Sequence, residues 1–161
     1  MNQQRTQFFR RGCHTGLTLI ELLITCAIAV VVLAIVAIAM NPAQQFMRAR
    51  NEQRTAHINV LAGAVRQNLA DNRNTFSCAA GPIPATTTRM AIGTSSYNIA
   101  SCLTPVYLPV LPHDASLPGA HFTSITDYDT GYTISRNASS GRVTVSAPGT
   151  EGGVPIISVT R

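Results

Sequence analysis

The sequence contains no lysine and no tryptophan, and it has few charged residues of any kind. Charged side chains make up 12% of the 161 residues, whereas about 25% is usual for a soluble domain. From Leu17 onward, nine arginines face seven acidic residues, a balance of +2. A charge this small and dispersed does not predict binding to a phosphate backbone. Because aromatic residues do not alternate with arginine, no nucleic-acid partner is predicted for the chain alone.

Close pairs of cysteines are also lacking, since the four cysteines are widely spaced and form no CxxC site. No histidine stands at metal-ligand spacing, so zinc is not predicted. His113 lies beside Asp114, but no nucleophile accompanies them as a catalytic dyad would require. We therefore expect no catalysis and no cofactor, and a membrane-anchored enzyme finds no support in the residues.

Charge is absent over one long run, between Glu21 and Arg48. Residues 1–16 are polar and basic, and residues 17–40 form an apolar stretch of 24 residues. At about 1.5 Å per residue, a helix of that length crosses a hydrocarbon layer of about 30 Å. Three arginines within residues 1–16 should stay in the cytoplasm by the positive-inside rule, so everything after Met40 is predicted to lie outside.

Residues 41–74 are predicted to form an amphipathic helix. Asn41 and Pro42 should cause a kink or a melted turn at its start. The polar cluster at residues 72–74 should end it. Apolar residues then recur at helical spacing on one face: Ile58, Leu61, Ala62, Val65 and Leu69. The charged residues just before this stripe are expected to be solvated: Arg48, Arg50, Glu52 and Arg54.

Residues 75–161 are predicted to form a β-rich head, because the hydrophobic period there changes from 3.6 to 2. Segments 131–136 and 142–147 alternate apolar and polar residues around turn residues 137–141, which indicates a hairpin. Segment 154–160 predicts a further strand. The proline-rich stretch 81–118 is expected to be a long, partly extended loop.

The N-terminus allows several interpretations. An ordinary signal peptide has a shorter apolar core, although Ala37 and Ala39 offer a small-residue site. A lipoprotein signal fails because Cys13 precedes the apolar run. A plain membrane anchor leaves Glu21 unexplained, since a carboxylate in a lipid-compatible helix is unfavourable by a few kcal/mol. Glu21 either snorkels to the interface or pairs with a cation.

The residues that decide between these interpretations are 16–22 (GLTLIEL), with basic residues before them and a long apolar helix after them. This string resembles the prepilin motif of type IV pilins and of type II secretion pseudopilins, with Leu17 where phenylalanine is commonest. The resemblance implies that a prepilin peptidase cleaves between Gly16 and Leu17, and that Leu17 is then N-methylated. Cleavage would give Leu17 a cationic amine four residues before Glu21.

The resemblance further implies that Glu21 pairs with the N-terminal amine of a neighbouring subunit during assembly. Residues 41–54 are similar to the helix exit of small bacterial pilins, and residues 107–114 are similar to a loop of pilins and pseudopilins. The implied fold is α+β, the pilin fold. In it a long N-terminal helix, half membrane-spanning and half amphipathic, packs on a small C-terminal antiparallel β-sheet.

The implied function is that of a structural subunit of a type IV pilus, which serves adhesion, motility or DNA uptake at the level of the filament. Its partners would be copies of itself, other pilins, the prepilin peptidase and the assembly platform of the inner membrane. The precursor would be single-pass with its N-terminus inside, and the mature chain would enter an extracellular pilus. The alternative is a pseudopilin of a type II secretion system in a periplasmic pseudopilus. A DNA-uptake receptor would need a concentrated arginine stripe.

Three further expectations concern the cysteines and the acidic residues. Cys78 and Cys102 should pair in an oxidising compartment, closing a loop that contributes about 3 kcal/mol. Cys26 should pack as a small apolar residue. Asp114, Asp127 and Asp129 are weak candidates for calcium ligands, because acidic loop residues are more often only solvated. No other metal site is predicted.

Overall fold

The computed structural model describes residues 16–161, and it comprises two compact units, the first ending at Pro42 and the second spanning Ala43–Arg161. The basic residues and Cys13 of the predicted leader lie outside the described residues. Each unit is described by itself below. Together they contain an N-terminal apolar helix and a small antiparallel sheet, so the α+β layout predicted from the sequence is confirmed.

The first unit contains helix α1, Leu19–Ala39, whose 21 residues carry one charged side chain, Glu21. Its length and composition are sufficient to cross a membrane. The helix ends at Ala39 with Met40 as its C-cap, and Asn41 has a φ of 39° in the left-handed region. Pro42 then begins α2, at the first helical position, where a missing backbone N–H costs nothing. The predicted interruption at Asn41 and Pro42 is confirmed.

Helix α2, Pro42–Asp71, belongs to the second unit from Ala43 onward. The predicted apolar stripe is buried except at Leu69, which is half-buried, so the predicted core face is confirmed. The helix ends beside the polar cluster, as predicted. There Asn74 has a φ of 64°, and its N–H bonds to the carbonyl of Leu69 at 2.7 Å.

Five strands form one antiparallel sheet in the order β1-β3-β4-β5, with β2 paired to another part of β3. Their bounds are β1 Thr88–Ala91, β2 His121–Ser124, β3 Asp127–Arg136, β4 Val143–Ala147 and β5 Ile157–Thr160. The predicted hairpin is confirmed, since Ile134 faces Val145 and Arg136 faces Val143. The predicted C-terminal strand corresponds to β5.

The prediction that residues 81–118 are a loop is wrong in part. This segment contains β1 and a short helix, α3, Ala100–Leu103. Tyr128 on β3 ties it to the sheet, because its hydroxyl accepts hydrogen bonds from the N–H groups of Ile99 at 2.8 Å and Ala100 at 3.2 Å. Strand β2 and the first residues of β3 also lie outside the strands predicted from alternation.

One hydrophobic cluster draws on α2, on the irregular segment and on the sheet. Its fully buried members include Ile58, Leu61, Leu103, Leu111 and Tyr132. Cys78 and Cys102 border this cluster and form a disulfide, which confirms their predicted pairing. Among residues 16–161, Cys26 is the cysteine without a disulfide, and it lies exposed on α1.

Candidate functional site

The start of α1 carries the residues that the sequence singles out. Gly16, Leu17 and Thr18 precede the helix and are exposed, with Leu17 at 73%. A Cβ added to Gly16 would meet no atom within 4 Å. The bond between Gly16 and Leu17 is therefore in an open segment outside regular secondary structure, which is the form in which a peptidase can bind a chain.

Thr18 is the N-cap of α1, and its hydroxyl accepts a hydrogen bond from the N–H of Glu21 at 3.2 Å. This cap was not among the features predicted from the sequence. The signal was present, because threonine followed three residues later by glutamate is the pattern of a capping box. A carboxylate in the first helical turn is also favoured by the helix dipole. Capping and the helix dipole therefore explain in part why a glutamate occupies position 21.

The carboxylate of Glu21 itself is exposed, and among residues 16–161 it has no hydrogen bond or ion-pair partner. It is the one charge on a helix that is otherwise apolar. A carboxylate in such a helix is unfavourable in lipid until a cation neutralises it. The Glu21 carboxylate can therefore pair with an amine that belongs to another molecule or to a residue outside 16–161.

No residue of α1 is buried within its unit, and its large apolar side chains are exposed around the whole helix. Val31, Leu33 and Ile35, for example, are each more than half exposed. A helix that is apolar on all sides requires a lipid or protein environment. Each leucine, isoleucine or valine that becomes fully buried contributes about 1.5–3 kcal/mol.

The second unit contains a polar cluster around the buried ion pair of Arg54 and Asp114. We call it the Arg54 cluster, and its members are Asn51, Arg54, Asp114, Ser116 and Glu151, with Arg50 at its edge. The prediction that Arg54 is solvated is wrong, because its side chain is 3% exposed. Its Nε donates to Oδ2 of Asp114 at 2.7 Å, and its Nη1 donates to Asn51 at 2.7 Å. Its Nη2 donates to Ser116 at 2.6 Å and to Glu151 at 2.9 Å.

Glu151 completes this cluster from the loop between β4 and β5. It accepts hydrogen bonds from Nε of Arg50 at 2.9 and 3.1 Å, and its backbone carbonyl accepts from Asn51 at 3.0 Å. The hydrogen bonds from Arg50 and Arg54 lower the pKa of Glu151 to about 2. For Asp114, burial alone would raise the pKa, but hydrogen bonds from Arg54 and Ser116 outweigh it and lower the pKa. The cluster joins α2 to two loops that follow it far along the chain.

The three weak calcium candidates each lie beside a basic side chain. Asp114 pairs with Arg54, Asp127 lies 3.0 Å from Nε2 of His121, and Asp129 accepts from Arg89 at 2.7 Å. Among the described residues, no group of three or more histidine, cysteine, aspartate or glutamate side chains is placed to hold a metal ion. The structure therefore does not bring the three aspartates around one cation.

Comparison with protein-family models, with curated proteins and with solved structures finds no match for this chain. The function of this chain is therefore inferred from its residues and their geometry.

Proposed function

We propose that this chain is a structural subunit of a type IV pilus, assembled by packing of α1 after cleavage between Gly16 and Leu17. One observation carries the proposal. Glu21 is a lone carboxylate without a described partner, in the first turn of an apolar helix that is exposed on all sides. Such a helix is unsuited to water by itself, and it needs both an apolar environment and a cation.

In the proposed mechanism, neighbouring copies of the chain supply both the cation for Glu21 and the apolar environment for α1. Cleavage leaves Leu17 with a positively charged amine, and the Glu21 carboxylate of a neighbouring copy attracts it in surroundings of low dielectric. Desolvation opposes this pairing, so the pair fixes register more than it adds stability. Apolar contacts along α1 supply the favourable free energy when copies leave the bilayer and pack together.

The second unit fits the role of an outer head with a pilin fold. The Cys78–Cys102 disulfide borders its hydrophobic core. A disulfide is expected in an oxidising compartment outside the cytoplasm. The Arg54 cluster fixes the N-terminal half of α2 to the loops that carry Asp114 and Glu151. A head stabilised in this way keeps its own shape while α1 exchanges lipid for neighbouring helices.

The alternative, a pseudopilin of a type II secretion system, shares the N-terminal design. A calcium site in the C-terminal loops would favour it, but the three candidate aspartates each lie beside a basic side chain. We therefore prefer the pilus. Long surface filaments that contain this chain would support the pilus, whereas a short periplasmic filament coupled to protein secretion would support the alternative.

Substitution of Glu21 tests the proposal. The Glu21→Ala variant should be inserted and cleaved like the wild type, yet its incorporation into sheared filaments should fall at least tenfold. Glu52→Ala is the matched control, because Glu52 is exposed on α2 and forms no ion pair with a described residue. Normal incorporation of Glu21→Ala would show that the ion-pair mechanism is wrong.

A further inference from the structure

A groove of about 340 Å³ lies between the C-terminal half of α2 and the turn that joins β3 to β4. Its floor is aliphatic and includes Val65, Leu69 and Val143. This volume is near the lower end of the range for small-molecule sites, about 300–1,000 Å³. Among residues 16–161, none of the aromatic side chains lines the groove, so a base or a sugar ring finds no platform for stacking. The groove therefore suits a single aliphatic chain.

Arg136 bridges the two walls of this groove. Its Nε donates to the carbonyl of Gly141 at 3.1 Å, on the turn between β3 and β4. Its Nη2 donates to the carbonyl of Asn74 at 3.2 Å, just after the end of α2. Both Gly141 and Asn74 line the groove, so these bonds fix its shape without a ligand. A preformed site loses less conformational entropy when it binds.

The backbone on the sheet side of the groove is already hydrogen-bonded. The N–H and the carbonyl of Val143 both pair with Arg161 at 2.9 Å. Asn137 donates to the carbonyl of Arg142 at 2.9 Å and accepts from the N–H of Gly141 at 2.8 Å. A peptide that binds as an added strand needs a row of free backbone groups, which this segment does not offer. An added strand is therefore excluded as the ligand.

Three arginines line the same groove: Arg66, Arg142 and Arg161. The guanidinium groups of Arg66 and Arg142 form no hydrogen bond or ion pair within the part of the chain that the structure describes. Arg161 donates one hydrogen bond to Asn59 at 3.3 Å. Two guanidinium groups are thus available to a ligand.

No negatively charged side chain from the described residues lines the groove to balance these arginines. Asp71 follows the lining residue Ala70 at the end of α2, but it is outside the lining. Arginine binds a carboxylate through two parallel N–H groups. A ligand with an aliphatic chain and a terminal carboxylate therefore complements both the floor and the arginines.

We propose that this groove binds the anion of a free fatty acid, with its chain on the aliphatic floor and its carboxylate at Arg66 and Arg142. A free fatty acid fits better than a membrane phospholipid, because the volume suits one chain and a phospholipid carries two. Every lining residue belongs to the second unit, so binding is independent of the assembly of α1. The head would then carry a ligand in addition to its structural role.

Photolabelling of the full-length chain tests this site. The chain is placed in nanodiscs of zwitterionic phosphatidylcholine and irradiated with decanoate that carries a diazirine, and mass spectrometry maps the labelled residues. Label should appear near Leu69 and Val143 and should saturate. Excess decanoate should remove it, whereas decanol, which has the chain without the charge, and acetate, which has the charge without the chain, should not. Label on α1 in the bilayer is the internal reference.

Two exposed positions on α2 provide matched variants. Ala70→Glu places a carboxylate in the groove, and label there should fall at least tenfold relative to α1, because the new charge repels the ligand. Gln67→Glu adds the same charge about one turn earlier and outside the lining, so the label should change less than twofold. The double variant Arg66→Gln, Arg142→Gln should lower the label about tenfold, whereas Arg48→Gln should not.

Several results would overturn the fatty-acid site. Absence of label at the groove, removal by decanol as effective as removal by decanoate, or equal loss in Ala70→Glu and Gln67→Glu would each do so. Removal by an anionic two-chain phospholipid, or by a DNA duplex in a salt-sensitive manner, with no effect of decanoate, would assign the groove to that partner instead. All of these results leave the filament role intact, and absence of the chain from filaments would leave the groove site intact.

Discussion

Arg54 and Asp114 stand 60 residues apart in the sequence, yet Nε of the guanidinium lies 2.7 Å from Oδ2 of the carboxylate. Their side chains are 3% and 6% exposed. Taking two charges out of water is costly, and a buried pair is tolerated only when its geometry is good and its remaining hydrogen-bonding groups are satisfied. Ser116, Asn51 and Glu151 meet that condition here. The pair therefore fixes how α2 meets the loop before β2.

Removing one partner should destabilise the second unit strongly. Arg54→Met leaves Asp114 buried without its cation, and we expect a loss of about 3–5 kcal/mol in the free energy of unfolding. Denaturant unfolding of the full chain in detergent, followed by near-ultraviolet circular dichroism, measures this loss. Arg48→Met is the matched control, since Arg48 is exposed and makes no ion pair with a described residue, and it should change stability by less than about 0.5 kcal/mol.

The double variant Arg54→Met, Asp114→Leu should be more stable than Arg54→Met alone, because it leaves no unpaired buried charge. Equal stability of Arg54→Met and the Arg48→Met control would contradict the account of this cluster.

Acid should weaken the head through Glu151. Its pKa is lowered from 4.5 to about 2 in the folded chain, so its contribution to stability is present above about pH 4.5 and is lost as pH falls toward 2. Asp114 acts in the same direction, since its pKa is also lowered. In denaturant unfolding measured at a series of pH values, the midpoint denaturant concentration of the wild type should therefore decrease as the pH is lowered below 4.5. In Glu151→Gln this decrease with pH should be less steep. Parallel curves for the two proteins would contradict the assignment.

Two glycines offer a matched pair of substitutions. Gly131 has a φ of 76°, and an added Cβ would lie 3.0 Å from Leu117 Cδ2 and 3.3 Å from Asp114 Cβ. Gly131→Ala should therefore cost about 2 kcal/mol or more. Gly63 lies inside α2 with no atom within 4 Å of an added Cβ, so Gly63→Ala should stabilise by up to about 1 kcal/mol. Thermal unfolding distinguishes the two, and effects of the same sign would be inconsistent with the structure.

The parts of the fold that were predicted correctly depend on signals within a few residues, namely the spacing of apolar residues and the position of proline. The stripe from Ile58 to Leu69, the hairpin of β3 and β4, and the interruption at Pro42 are all encoded within a few residues. Segment 81–118 was not predictable in this way, because long-range bonds order it. One example is the hydroxyl of Tyr128 on β3, which binds the backbone at Ile99.

Arg54 shows why the polar part of the core escaped prediction. It stands among charged residues, which suggested a solvated surface. Extending the helical period one turn back from Ile58 would have placed Arg54, and then Asn51, on the buried face. The partners, however, come from loops 60 and 97 residues away, and no spacing in the sequence indicated them.

The most direct test of the central claim is the N-terminus of the mature protein. Intact-mass and peptide mass spectrometry of the chain from cell envelopes should show Leu17 as the first residue, carrying one N-methyl group. That result would establish the amine that Glu21 is proposed to bind. A mature chain that begins at Met1, or near Met40 after removal of α1, would contradict the account.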